Sequence, residues 1–443
     1  MTLCDIMKRF VYLIALIVIL LSCEDKPLDP YKMEEMEEME ASGSLPVLYI
    51  NIENNSPIIS KDKEDYLHAD WWLDSRGISG YESLGSPEEP LGLVIKGRGN
   101  FTWEQFEKKS YRIKLDTKEK LIGMKKNKHF CLLSHADDHL AKLKNTIGFE
   151  ISRRIGLAYT PAQEPVELVI NGEYLGLYFI TEVPRVGKNR VNITEQSDYE
   201  TDINNITGGW FLEFNSFEGH IFYVQEHTNQ PYSWEDMICF DSKSPELLSS
   251  AQHNYMSQFL TATNSAIYCT DKSSMEWEKY IDIDSLAMYY IVGEIMDDLE
   301  YFAGSVFVYK HRGENTKLVF GPVWDFGNSF QRWAIYNDTQ FNKYIYEEPT
   351  VFKNRWIEEI AKFPRFQQAV KKQWKKFYQS DFNGLNLDAY IDSFTSRIEP
   401  AFNKDARRWP QYNDNSIKKE RDDFKEFINR KIDWLNKQWG GTN

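Results

Sequence analysis

Asp297, Asp298 and Glu300 crowd the end of an apolar stretch that begins at Ile291, and a fourth acid, Asp325, follows within Trp324-Asp325-Phe326-Gly327. Between them lie two β-rich runs, Ser305–Lys310 and Lys317–Phe320, joined by the turn-forming His-Arg-Gly-Glu-Asn segment. An acidic loop, a tight hairpin and then an acid beside a glycine is a layout suited to phosphoryl transfer. There one carboxylate sits near the attacking hydroxyl and another holds the metal that bridges the phosphates. From residue types alone, helix-end and turn acids on a solvated rim are the commoner meaning of such a pattern.

Phosphates also need cations and close backbone approach. The stretch Leu91-Gly-Leu-Val-Ile-Lys-Gly-Arg-Gly-Asn-Phe-Thr-Trp103 reads as a strand entering a Gly-x-Gly turn that contains Arg98. Lys108-Lys109-Ser-Tyr-Arg-Ile-Lys-Leu115 is the strand after it. A glycine loop lets N–H groups approach phosphate oxygens, and Lys109 on the next strand can reach them. A hairpin turn and an exposed strand lysine are the bland equivalent. Leu140, Leu143, Ile147, Ile151 and Ile155 recur at helical spacing, and place Asp138, Lys144 and Glu150 on or near one helix. Glu150 is a candidate partner for the strand lysine.

The elements that must position these groups follow from pattern. Leu45–Ile52 is strand-like, and Asn171-Gly172 between alternating apolar runs signals a type I′ hairpin over Val166–Glu182. In a kinase-like lobe this hairpin would lead, through the junction at Glu182 to Arg190, into a hinge that contacts adenine by backbone groups. Gly208–Phe214 is a further strand. From Pro245 onward the pattern is mainly helical, with a helix capped by Asp284 and amphipathic helices near Phe352–Phe363, Phe366–Gln379, Leu387–Phe402 and Lys418–Gln438. Their aromatics read as core.

The N-terminus is a targeting segment: Lys8 and Arg9 precede the apolar run Phe10–Leu21, too short for a comfortable membrane span. It ends in Leu20-Leu21-Ser22-Cys23, similar to a bacterial lipobox, which makes Cys23 the expected lipidation site and the membrane a partner through that anchor. An ordinary secretory signal or an anchor helix is the alternative. Glu24 and Asp25 fit a lipoprotein of the outer membrane or cell surface. Residues 24–44, with Met-Glu-Glu repeats, read as an acidic tether or a helical stalk. Cys131, Cys239 and Cys269 lack metal spacing and read as core thiols, or one disulfide and a spare. A net charge of −15 argues against nucleic acid as a general partner. Eight histidines form no HExxH, HxH or triad spacing.

Taken in order, several segments resemble the CotH (spore coat protein H) kinase family: residues 45–50, 95–103, 108–115, 171–178, 208–214, 294–305 and 321–327, with Arg407-Arg408-Trp409 in the helical tail. The resemblance covers roughly residues 45–410. It implies an α+β, atypical protein-kinase-like bilobal fold with a β-rich N-terminal lobe (45–182) and a mainly helical C-terminal lobe (183–340), extended by helices over 341–443, behind a signal of residues 1–23 and a tether of 24–44. It further implies ATP and Mg²⁺ as cofactors and Ser or Thr of an extracytoplasmic protein as acceptor. By position, Lys109 is the phosphate-binding lysine, Asp325 the metal-binding acid, Ser305 its polar support, and Glu300 the acid of the catalytic loop, with Asp297 or Asp298 able to serve instead. Two positions depart from the family pattern: Glu300 replaces a common Asp, and Gly327 stands where many members carry an acid. An inactive member of the same fold, acting as a surface binding or scaffold protein, is the alternative. A different transferase or a carbohydrate-binding role is a third.

Overall fold

A computed structural model describes residues 41–215, 221–225, 237–347, 355–381, 386–413 and 415–440. The signal segment, Cys23 and most of the tether lie outside the described residues. Residues from Ala41 on form one compact unit. The expected tether ends earlier than residue 44: the Ser42 amide and hydroxyl donate to the buried carboxylate of Glu167, and Leu45 is fully buried.

The first part is a closed barrel. Its strands are β1 (Val47–Ile52), β2 (Leu67–Asp74), β3 (Leu91–Arg98), β4 (Ser110–Glu119), β5 (Asn127–Leu133), β6 (Gln163–Ile170) and β7 (Glu173–Glu182), in the order β1-β2-β3-β4-β5-β7-β6. Neighbours are antiparallel except where β6 meets β1 in parallel and closes the ring. Alternation fills the interior: Leu93 and Ile95 of β3, Ile113 and Leu115 of β4, and Phe130 and Leu132 of β5 share one apolar core. Asn171 and Gly172 both take positive φ, 52° and 81°, so the β6–β7 hairpin has the I′ turn its dipeptide specifies.

The second part is not mainly helical alone. It contains a five-stranded antiparallel sheet, β8 (Trp210–Asn215), β9 (Phe222–Gln225), β10 (Met237–Ser244), β11 (Val306–Lys310) and β12 (Leu318–Phe320), in the order β12-β11-β8-β10-β9. Six longer helices accompany it: α1 (Lys144–Ile155), α2 (Ser250–Ile267), α3 (Ile283–Ile295), α4 (Pro364–Asp381), α5 (Asn386–Arg408) and α6 (Ile417–Trp439); α2 and α3 pack on the sheet, and α5 packs on β7 of the barrel. α1 begins later than its apolar spacing suggests. Ala141 and Lys142 have positive φ, and the Asp138 carboxylate accepts from the amides of Leu140 and Lys144, so the start is a capped turn. The cap of α3 is Asp282, which accepts from the Ser285 amide at 2.8 Å; Asp284 instead faces Lys372 and Gln373 of α4. Cys131, Cys239 and Cys269 are thiols outside any disulfide.

One cluster of charges joins elements of the second part. Asp297, just past α3, receives Arg332 at 3.0 Å and Lys431 of α6 at 2.8 Å, while Lys431 also lies 3.2 Å from Glu294 of α3. All four residues are 0% exposed. Removing one partner strands a charge in low dielectric, which costs about 3–5 kcal/mol. Lys431→Met should therefore lower the unfolding free energy by an amount of that order, read by urea denaturation.

Candidate active site

Glu300 and Asp325 reach one place from two sides. After α3 the chain turns at Asp297, whose φ is 44°. Asp298 is then locked inside: one carboxylate oxygen accepts from the Glu300 amide at 3.0 Å and the other from the Ser329 hydroxyl at 3.2 Å. This puts the Glu300 side chain at the site, where Asn328 donates to it. From the other side, β12 runs through Pro322 to Asp325, which is exposed and held at a φ of 63°. Ser305, at a φ of 54°, points its hydroxyl to Asp325 Oδ2 across 3.5 Å. Two non-glycine residues in the left-handed region, facing each other, mark backbone held in place by its surroundings.

α1 supplies the floor. Asn145 accepts from the Phe326 amide at 3.2 Å, and Lys144 donates to the Gly327 carbonyl at 2.9 Å. Gly148 lets the Phe326 ring lie on the helix, because a Cβ there would stand 2.4 Å from the ring. Gly327 faces two carboxylates: a Cβ at that position would lie 3.2 Å from Asp137 Oδ2 and 3.5 Å from Asp325 Oδ1. Asp137 thus stands beside Gly327, one of the two positions that depart from the resembled pattern.

The acids perturb one another. Burial raises Glu300 from 4.5 to about 7, with Asp325 adding to the rise and Asn328 opposing it. Burial, then Glu300, pushes Asp298 well above the carboxylate range. Asp137 is raised by burial, while Lys144 pulls it back. A carboxylate poised near neutrality suits a general base. Among the described residues no group of three or more His, Cys, Asp or Glu is arranged to hold a metal ion. Mg²⁺ bound with a nucleotide needs only one or two carboxylates beside phosphates and water, and exposed Asp325, with Ser305 and Asp137 near it, fits that chemistry.

Other expected site residues are placed elsewhere. Asp297 serves the buried ion cluster and has no oxygen to spare for substrate. Lys109 donates to the Trp103 carbonyl at 2.5 Å and lies over the Trp103 ring. Glu150 pairs with Arg153 and Arg154 of its own helix, both at 2.8 Å, rather than with a strand lysine. Glu182 is buried against Arg190 and accepts from Tyr159 and the Ala162 amide, so its carboxylate is used internally. Arg98 does come to the site: its guanidinium lies 5.4 Å from the Trp324 ring centre. Asp137, Asn145 and Asn328 are additions that sequence reasoning did not single out, and Lys144 was read only as a helix residue. The Asp137-Asp138 pair and the Asn after the Trp-Asp-Phe-Gly motif were visible, but only contact gives them a role.

The raised Glu300 carboxyl carries a pH signature. The folded protein holds a proton there between pH 4.5 and about 7 that the unfolded chain has released, so stability falls as pH rises through that window. Glu300→Gln removes this loss. It should exceed the wild type in unfolding free energy by on the order of 3 kcal/mol at pH 8, and match it near pH 4, in urea titrations at both values.

A family model described as CotH kinase protein matches residues 95–435 of the 443-residue chain. Comparison with curated proteins gives no significant match. The match spans β3 to α6, and so includes the Gly-x-Gly turn, α1, both arms of the acidic site and the buried ion cluster. On that coverage the chain belongs to the CotH kinase protein family.

Proposed function

We propose that this chain is an atypical protein kinase, passing the γ-phosphate of ATP to Ser or Thr of extracytoplasmic proteins while held at the cell envelope by a lipid on Cys23. The observation that carries the catalytic part is the convergence of Glu300, poised near neutrality, with Asp325. Glu300 accepts the proton of the acceptor hydroxyl as it attacks. Asn328 orients the Glu300 carboxylate, and Lys144 offsets negative charge among the acids. Asp325, supported by Ser305 and neighboured by Asp137, would hold Mg²⁺. When bound, the ion would supply positive charge to offset the phosphates. The barrel would then be the nucleotide-facing part of a kinase-like fold. The anchor rests on Lys8, Arg9, the Phe10–Leu21 run and the Leu-Ser-Cys ending at Cys23.

A second reading, an inactive family member acting as a surface scaffold, draws on Gly327, which leaves the Trp-Asp-Phe motif one acid short. Thermal unfolding of the full chain in detergent separates the two. Mg²⁺-ATP at a hundredfold excess over its Kd should add about 2.7 kcal/mol of stability. The rise should require the metal and be lost in Asp325→Asn. No shift at millimolar nucleotide would favour the scaffold.

A further inference from the structure

A cavity of about 220 Å³ opens where α3, α4 and the end of α6 meet, and no residue of the acidic site lines it. Its walls are aromatic: Tyr290 of α3, Tyr344 and Tyr346 of the segment after Phe341, Phe366 of α4 and Trp439 of α6. Several of these rings are nearly parallel. Tyr344 lies 5.3 Å from Tyr346 with the planes 9° apart, and 5.9 Å from Trp439 with the planes 16° apart. Tyr290 backs them, 5.7 Å from Trp439 and 5.4 Å from Phe366. The Ile345 amide, between the two tyrosines, donates to the buried Glu294 at 3.1 Å, so the ion cluster holds this wall in place.

The open side is polar. Gln367, Lys371 and Gln438 line the cavity and are exposed. Lys371 belongs to a run of exposed lysines on α4, with Lys372, Lys375 and Lys376, in a protein whose net charge is −15. Lys372 meets Asp284 at 3.2 Å; among the described residues the other three have no carboxylate at ion-pair distance. The acids near the rings are engaged: Glu347 accepts from the Tyr344 amide at 3.0 Å, and Glu294 faces Lys431. Burial raises Tyr344 to about 12 and Tyr346 further, so both hydroxyls stay neutral at physiological pH. Aromatic faces are electron-rich and attract the C–H groups that one side of a pyranose ring presents. A carboxamide both donates and accepts, which matches ring hydroxyls that do the same. A neutral sugar would leave Lys371 without a partner, and a free inorganic anion would leave the rings bare. The volume lies below the roughly 300–1,000 Å³ of sites for larger ligands, and so suits a single ring.

We infer that this cavity is a binding site for one pyranose ring carrying an acid group, with the ring against Tyr344, Tyr346 and Trp439 and the acid at Lys371. Gln367 and Gln438 meet the ring hydroxyls. The site uses none of the residues assigned to phosphoryl transfer, so it stands or falls apart from the kinase reading.

The test is a ligand-observed NMR titration of the full chain, in a detergent without a sugar headgroup, with methyl β-glucuronide, methyl β-glucoside and inorganic phosphate. Wild type should bind the glucuronide about fivefold more tightly than the glucoside, the worth of one exposed ion pair. Lys371→Gln should bring the glucuronide to the level of the glucoside and leave the glucoside unchanged. Tyr346→Ala should weaken both sugars about tenfold through the lost ring contact. Asp325→Asn should bind both as wild type does. Lys371→Gln changes an exposed helix position, so the acid's role stays testable if Tyr346→Ala fails to fold. A wild type that binds neither sugar, or both equally, overturns the inference. So does glucuronide binding unaltered by Lys371→Gln and Tyr346→Ala, which would put the ligand elsewhere, or phosphate binding as tight as that of the glucuronide, which would leave a simple anion site.

Discussion

The buried meeting of Glu294, Asp297, Arg332 and Lys431 is the constraint on which the rest of the second part depends. Two carboxylates and two cations with no access to water are tolerable only when each faces an opposite charge at hydrogen-bond distance. That requirement fixes where α3 ends, where the strand-to-helix segment after Asp325 returns, and how α6 lies across both. Glu294 also accepts from the Ile345 amide, which draws a third stretch of chain to the same point. Once Asp297 is pinned, the next residues have little freedom. Asp298 must turn inward and Glu300 is carried to the site. The reactive group is thus placed by a neighbour that does no chemistry.

The site itself is built against its own stability. Four carboxylates, of Asp137, Asp298, Glu300 and Asp325, face one another with Lys144 as the cation that offsets them. On the barrel, the Arg112 charge likewise repels Lys96 and Arg185. Each group is costly alone. Functional sites are where a fold tolerates such conflicts, and here the surrounding core is large enough to carry them.

Local pattern made much of the fold legible. The Asn171-Gly172 turn, the β11–β12 hairpin, the alternation in β3 and β4 and the amphipathic helices from Phe366 on are all short-range signals, and each appears where expected; of the helix expected near Phe352–Phe363, whose first residues lie outside the described residues, Arg355–Ile360 is helical. Barrel closure was not legible, because β1 pairs with β6 across more than a hundred residues. In the site, Glu300, Asp325 and Arg98 stood out by type and spacing. Asp297 has the same type and the opposite role, since its partners Arg332 and Lys431 lie far along the chain.

The place of Lys431 has a consequence for biogenesis. During synthesis, Glu294 and Asp297 emerge well over a hundred residues before the lysine that neutralises them. Until it arrives their burial is strongly unfavourable, so the segment bearing Glu300 and Asp325 stays open. In a nascent or truncated polypeptide without α6, Glu294 lacks its cation and assembly of the reaction centre is disfavoured until Lys431 arrives.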